Sequence, residues 1–228
     1  MLTALGCTLA LWGMLAYLLL PEWWSFHFHR HPSLDDTPGI TQTGSGIPGD
    51  PINVALIGAR DDVDRSMRAA GWRAADPLGL ESDARIAADT VLDRPYQTAP
   101  VSSLYLYGRK EDLAFEMPVG GNPQHRHHVR FWRSPVDDPD GRPMWVGSAS
   151  YDKGIGFSHT TGQVTHHIAE DIDTERDHVI ESLKAAQTLS ETYIEAGFHK
   201  TLSGKNGGGD PWKTDGDLWA GVLNADGE

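Results

Sequence analysis

Residues 1–20 form an unbroken run of uncharged, mostly apolar side chains, dominated by Leu, Ala and aromatics. As a helix, a run of this length spans about 30 Å, the thickness of a bilayer's hydrocarbon core. Pro21 stops it, and Trp23, Trp24 and Phe26 follow where interfacial aromatics are expected. No Lys or Arg precedes the run and no small-x-small site stands before Pro21, so it reads as an uncleaved anchor more than as a signal peptide. A helix buried in the domain is the alternative. Residues 27–51 are rich in His, Pro, Gly, Ser and Thr and have no hydrophobic period, the pattern of a tether. The division that follows is an anchor at 1–20, a linker at 21–50 and a soluble domain at 51–228.

Within the domain, residues 52–59 are a short β-rich run. Residues 61–72 then take a helical period, with acids in the first turn and Val63, Met67 and Ala70 on one stripe. Residues 80–92 predict a second helix, ended by Arg94-Pro95 because the residue before proline avoids the α region. From residue 102 the period shortens. Runs at 103–107, 112–117, 127–133, 144–150, 154–158 and 163–168 read as strands between Gly, Pro and Asp turns. Thr174-Glu175-Arg176-Asp177 resembles a capping box opening a helix to about residue 187. Residues 204–217 read as a glycine-rich loop and 218–223 as a last strand. Strands gathered mid-chain, with helices before and after, predict an α+β fold. Its sheet is mixed and mostly antiparallel, with about three helices, behind one N-terminal transmembrane helix.

The formal net charge of −13 lies entirely downstream of the apolar run, and it disfavours nucleic acid and anionic surfaces as partners. Cys7 is the only cysteine, so the domain forms no internal disulfide, which fits either a reducing compartment or the periplasm. Arg30 is the only cation in the twenty residues after the span, leaving the positive-inside rule little to act on. The expected location is the bacterial inner membrane, single-pass, with the periplasmic side favoured for the domain.

The histidines carry the chemistry. As a strand, 124–132 puts His125, His127, Val129 and Phe131 on one face and Arg126, His128, Arg130 and Trp132 on the other. In 163–168, His166 shares a face with Val164 and Ile168, opposite Thr165 and His167. Imidazoles beside an acid such as Asp152 suit a metal site or a general acid/base site. His127, His128, Asp152, His166 and His167 are therefore the catalytic candidates. Set against this, most such histidines are core or edge residues bonded to backbone, and no HExxH or CxxC spacing calls for a metal. The cofactor stays unknown, with a divalent metal compatible. His27, His29 and His31 alternate in the linker without a carboxylate partner. Arg94, Arg109, Arg126 and Arg130 could gather to fork an anionic ligand, or could pair with the chain's own carboxylates. The stretch from Gly204 to Asp210 lacks the phosphate-loop spacing, and Asp215-Gly216-Asp217 is too short for a calcium loop.

Several blocks resemble the LssY C-terminal domain family. They include Asn53-Val54-Ala55-Leu56-Ile57-Gly58, Arg94-Pro95-Tyr96, Leu104-Tyr105-Leu106-Tyr107-Gly108-Arg109 and Arg126-His127-His128-Val129-Arg130-Phe131-Trp132. Thr165-His166-His167-Ile168 and Asp217-Leu218-Trp219-Ala220-Gly221 continue the series in order. The resemblance implies a bacterial, often membrane-associated domain with no established activity. Some family members place it after a PAP2-type phosphatase domain, but the P-S-G-H signature of that domain is lacking, so phosphatase activity is not carried over. Two functions are thus expected. One is a tethered accessory or ligand-binding domain with an envelope protein partner; the other is a hydrolase, metal-dependent or not, acting on an anionic substrate.

Overall fold

The computed structural model describes residues 11–19, 34–75, 103–120, 125–160, 162 and 164–225. Residues 11–14 are α-helical and run into a π-helical turn at Leu15–Leu19. Leu11, Trp12, Met14, Leu15, Tyr17 and Leu19 are all exposed. Among the described residues no helix is long and apolar enough to cross a membrane. The rest of the expected span lies outside the described residues, as do the expected helix at 80–92 and Arg94.

The folded chain starts earlier than the hydrophobic pattern predicts. Strands β1 (Ile40–Thr43) and β2 (Pro48–Pro51) pair antiparallel inside the stretch read as linker. Neither alternates in hydrophobicity, and β2 contains two prolines and a glycine, so no periodic signal marks them. A tertiary bond fixes them instead: buried Thr41 donates its hydroxyl to the Asp50 carbonyl at 2.8 Å.

The central strand β3 (Val54–Ile57) is buried at all four residues. Helix α1 (Arg60–Ala69) follows, with Asp61 and Asp62 in its first turn, where the helix dipole favours acids. Next come β4 (Arg73–Ala74), β5 (Leu104–Leu106), β6 (Arg109–Lys110), β7 (Leu113–Pro118) and β8 (Arg126–Arg133). The two runs expected at 144–150 and 154–158 are one long strand, β9 (Met144–Phe157), which turns back into β10 (Val164–Ile168). Helix α2 (Asp173–Ala185), β11 (Leu189–Glu195), β12 (Ser203–Lys205), β13 (Pro211–Lys213) and β14 (Leu218–Leu223) complete the order.

The architecture is α+β and mostly antiparallel. The main sheet runs β11-β14-β3-β9-β8-β7-β4, with β10 paired to β9; a smaller sheet runs β2-β1-β5-β6. The β3–β14 pair is parallel, which makes the main sheet mixed. Helices α1 and α2 cover one face, where Val63, Met67, Val179 and Leu183 meet Val54, Leu56 and Phe131. The small sheet covers the other, where Leu104 and Leu106 meet Ala55, Ile57, Trp132 and Val146. This double cover is why β3 reads as a continuous apolar run and not an alternating one. Each fully buried Val, Leu, Ile or Phe contributes roughly 1.5–3 kcal/mol.

Two buried polar groups lock the layers. Asn53 Nδ2 donates to the carbonyls of Ala149 (3.0 Å) and Ile172 (3.1 Å), and its Oδ1 accepts from the Ala149 amide at 2.9 Å. Arg176, on α2, forks Asp215 at 2.8 and 3.0 Å and lies over the Trp219 ring. The Asp215-Gly216-Asp217 stretch therefore serves as an arginine clamp. The expected capping box at Thr174 does not form. Ile172 is the N-cap, and the Asp173 carboxylate accepts from the Thr214 hydroxyl at 2.7 Å and the Asp215 amide at 2.6 Å.

Candidate functional site

Register decides which chemistry shares a face. Arg126 stands opposite Asp152 across β8 and β9, His128 opposite Ser150, Arg130 opposite Ser148 and Trp132 opposite Val146. Directly opposed residues point to the same side of a sheet. One face of the β8–β9 pair is therefore apolar at the Trp132 end, under the small sheet, and wholly polar at the Arg126 end. The polar end opens into a cleft of about 250 Å³ between the main sheet, β1, β2, β5 and the loop at residues 206–210.

Asp152 organises this cleft. It is 0% exposed and receives Arg126 Nε on Oδ2 at 2.9 Å. His128 Nδ1 lies 3.1 Å from its Oδ1, and His166 Nδ1 lies 3.3 Å from its Oδ2. Burial by itself would raise the Asp152 pKa. The charges of His128, His166 and Arg126, with the hydrogen bond from His128, outweigh it and hold the carboxyl well below the usual carboxylate range. His128 Nε2 lies 3.0 Å from both Arg130 Nη1 and Ser150 Oγ. A guanidinium only donates, so Nε2 accepts and the proton sits on Nδ1, toward Asp152. Arg126 Nη1 also pairs with Glu116 at 2.8 Å, and Arg130 Nη1 lies 3.6 Å from Asp50 Oδ2. Asp50 Oδ1 in turn accepts from Asn206 Nδ2 at 3.0 Å.

Ser150, His128 and Asp152 stand in the order of a nucleophile–base–acid relay. Ser150 is 2% exposed, however, and does not line the cleft. Its hydroxyl shares His128 Nε2 with Arg130, so it holds the imidazole in place and presents no nucleophile to the cleft.

The remaining expected residues go elsewhere. His127 points to the helix side of β8, where Nδ1 pairs with Glu175 at 2.8 Å and the ring stacks on His178 with centroids 4.0 Å apart. Burial pushes His178 below the ordinary histidine value; the neighbouring His127 adds to this and Glu175 opposes it. His167 points away from His166, and its Nδ1 lies 2.7 Å from Asp210 Oδ1. Arg109 forms an ion pair with Asp112 at 2.9 Å, donates to the Arg133 carbonyl and does not line the cleft. Of the three expected arginines among the described residues, Arg126 and Arg130 both reach the Asp152–His128 cluster, and both are already paired with acids.

Asp50, Glu116, Ser150, Asn206 and Glu175 escaped sequence reasoning. The alternation of Ser148, Ser150 and Asp152 was the available signal for Ser150, since a polar period of two within an otherwise apolar strand marks a polar face. Asp50 and Asn206 sat in stretches read as linker and loop. The loop at 206–210 is in fact the tip of the β12–β13 hairpin, tied down by Asn206 Oδ1, which accepts from the Gly208 and Asp210 amides at 3.0 and 2.9 Å.

Residues 34–218 match the family described as LssY C-terminus, covering most of the chain and both walls of the cleft. The chain belongs to the LssY C-terminus family. No curated protein and no solved structure matches it. The LssY match begins at residue 34, ahead of β1, in agreement with the early start of the fold. Within the LssY domain it takes in Asp50, Arg126, Arg130, Asp152, His166 and Asn206 together.

Proposed function

We propose that this chain is a membrane-anchored protein of the bacterial envelope whose LssY C-terminal domain binds a small polar ligand, as an accessory to an envelope partner. The observation that carries the binding reading is the pair of imidazoles, His128 and His166, set on one buried carboxylate in the wall of the cleft. Each Nδ1 faces Asp152, an orientation that fixes the ring; His128 Nε2 is held by Arg130 and Ser150, and His166 Nε2 lies 3.5 Å from Arg126 Nη2. Asp50, Arg130 and Asn206 add acceptors and donors within reach of the same space. In and beside the cleft wall, Arg126 and Arg130 stand against Glu116, Asp50 and Asp152, two cations to three acids. That balance suits a neutral polar molecule better than an anion. Exposed apolar residues at 11–19 support the anchor, since that stretch is not packed into the core.

The test is a thermal-shift screen of small polar ligands on the full chain, alongside pull-downs from solubilised membranes. A ligand that stabilises the wild type and fails on His166→Ala is expected; no ligand and no partner would end the reading. Cell fractionation and C-terminal reporter fusions check the anchor and the periplasmic placement; a freely extractable chain would refute the first, and a reporter active on the cytoplasmic side the second.

A hydrolase using His128, His166 and Asp152 on an anionic substrate is the second reading, favoured by the same carboxylate-oriented imidazoles. Turnover of an ester or phosphoester panel that is lost in His128→Ala and His166→Ala but kept in Ser150→Ala would select it.

A further inference from the structure

Beside the cleft, and independent of what fills it, His159, His167 and Asp210 bring one ligand atom each within 4.8 Å of one another. We propose that these three residues form a zinc-class divalent metal site that staples the β9–β10 turn to the tip of the β12–β13 hairpin.

The donors come from three places in the fold. His167 is presented by β10, on the face opposite His166. Asp210 ends the glycine-rich loop and is 5% exposed. His159 lies just after β9, where its amide donates to the Gly208 carbonyl at 2.8 Å, a bond between the two loops that the side chains would bridge. Asp210 is oriented as a ligand should be: Oδ2 accepts from the Ile168 amide at 3.2 Å, which aims Oδ1 at His167. An outer partner of this kind fixes a carboxylate for coordination.

The backbone is cleared for the rings. A Cβ at Gly156 would fall 2.5 Å from His167 Nε2, and one at Gly209 would fall 2.8 Å from the His159 Cβ. Gly209 also has φ +88°, the left-handed region that glycine tolerates. The His159 and His167 rings are tilted, with centroids 5.4 Å apart.

Zn–N and Zn–O bonds of roughly 2.0–2.2 Å put tetrahedral donors a little over 3 Å apart. The 2.7 Å His167–Asp210 pair would open slightly as the ion replaced the shared proton, and His159, being exposed, swings in most easily. Two imidazoles and a carboxylate form a borderline nitrogen–oxygen set that favours zinc-class ions over calcium or magnesium. Three protein donors leave a fourth position for water on the exposed His159 side. Ser158, Asn206 and Gly208 line the cleft, so an ion here would stiffen one of its walls.

The experiment is zinc titration of the EDTA-stripped full chain by calorimetry, repeated with cobalt to read its visible absorption. The wild type should take up one ion with a tetrahedral cobalt spectrum. His159→Ala, an exposed change that leaves the fold intact, should weaken uptake by about tenfold or more, and Asp210→Asn should do the same. As a control against adventitious uptake by the linker histidines, the combined variant His27→Ala, His29→Ala and His31→Ala should keep that uptake. Absence of uptake by the wild type, uptake unchanged in His159→Ala, or uptake lost only with the linker histidines overturns the proposal. None of these readouts depends on a cleft ligand, so failure here leaves the reading of the cleft standing.

Discussion

His127 and His128 are neighbours in sequence, yet they serve two buried acids on opposite faces of one sheet. On the cleft side, Asp152 meets an arginine and two imidazoles, and the assembly borders open space. On the helix side, among the described residues, Glu175 meets His127 alone at ion-pair distance, and His127 is stacked on His178 beside Trp72 and Tyr151. Both acids are buried, and both partner histidines. What differs is the number of cations committed to the acid and the access to it. A buried acid and a histidine are thus not enough to mark a site; an opening and a surplus of oriented donors are what set the cleft apart.

That contrast is broken most directly at its acids. Asp152→Asn leaves half-buried Arg126 to Glu116 and takes the charged acceptor from in front of His128 and His166, and it should cost about 3–5 kcal/mol in urea unfolding. Glu175→Gln keeps a hydrogen-bond acceptor for His127 and should cost only about 1–3 kcal/mol. Equal losses would show that the two centres are the same kind of structure.

Titration separates the centres next. The His178 pKa is lowered in the fold, so the unfolded chain binds the extra proton first. Stability is therefore full above the ordinary histidine value of 6.5 and declines as pH falls below it. Asp152 is lowered as well, but from 3.8, so its contribution persists until the pH drops beneath the ordinary carboxylate range. Buried His199, its pKa lowered by burial despite donating Nε2–H to the Ile52 carbonyl, adds to the upper limb. Denaturation midpoints measured across pH should show two limbs, and His178→Asn should shrink only the upper one. The smallest effect expected is that of Ser150→Ala, about 1 kcal/mol from one lost bond to His128, with ligand binding in the cleft retained. Loss of all cleft function in that variant would restore Ser150 as a nucleophile.

The sequence revealed those parts of the molecule that are repetitive. The period of two in β8 sorted Arg126, His128 and Arg130 from His127 correctly, and the apolar stripe of α2 announced its buried face at Val179, Ile180 and Leu183. It could not reveal pairings between distant segments. Asp50 reaches the cleft only because β1 and β2 fold over the sheet, and Asn206 reaches Asp50 across most of the domain's length. Strands such as β2, held by hydroxyl-to-carbonyl bonds and not by buried apolar faces, leave no period to detect. His127 was grouped with His166 because both share faces with large apolar residues. In three layers both faces of the sheet are apolar somewhere, so that cue does not distinguish the cleft from the helix side.

The place of β14 has a consequence in time. It lies between β3 and β11, so Val54 cannot complete its hydrogen bonds until Trp219 has been made. An emerging chain must carry β3, an all-apolar strand, with one edge open until residues 58–217 have been added. Closing such a distant pair is slow, and open edges of apolar strands recruit other chains. Until the last strand inserts, the nascent domain depends on being held apart from its own copies.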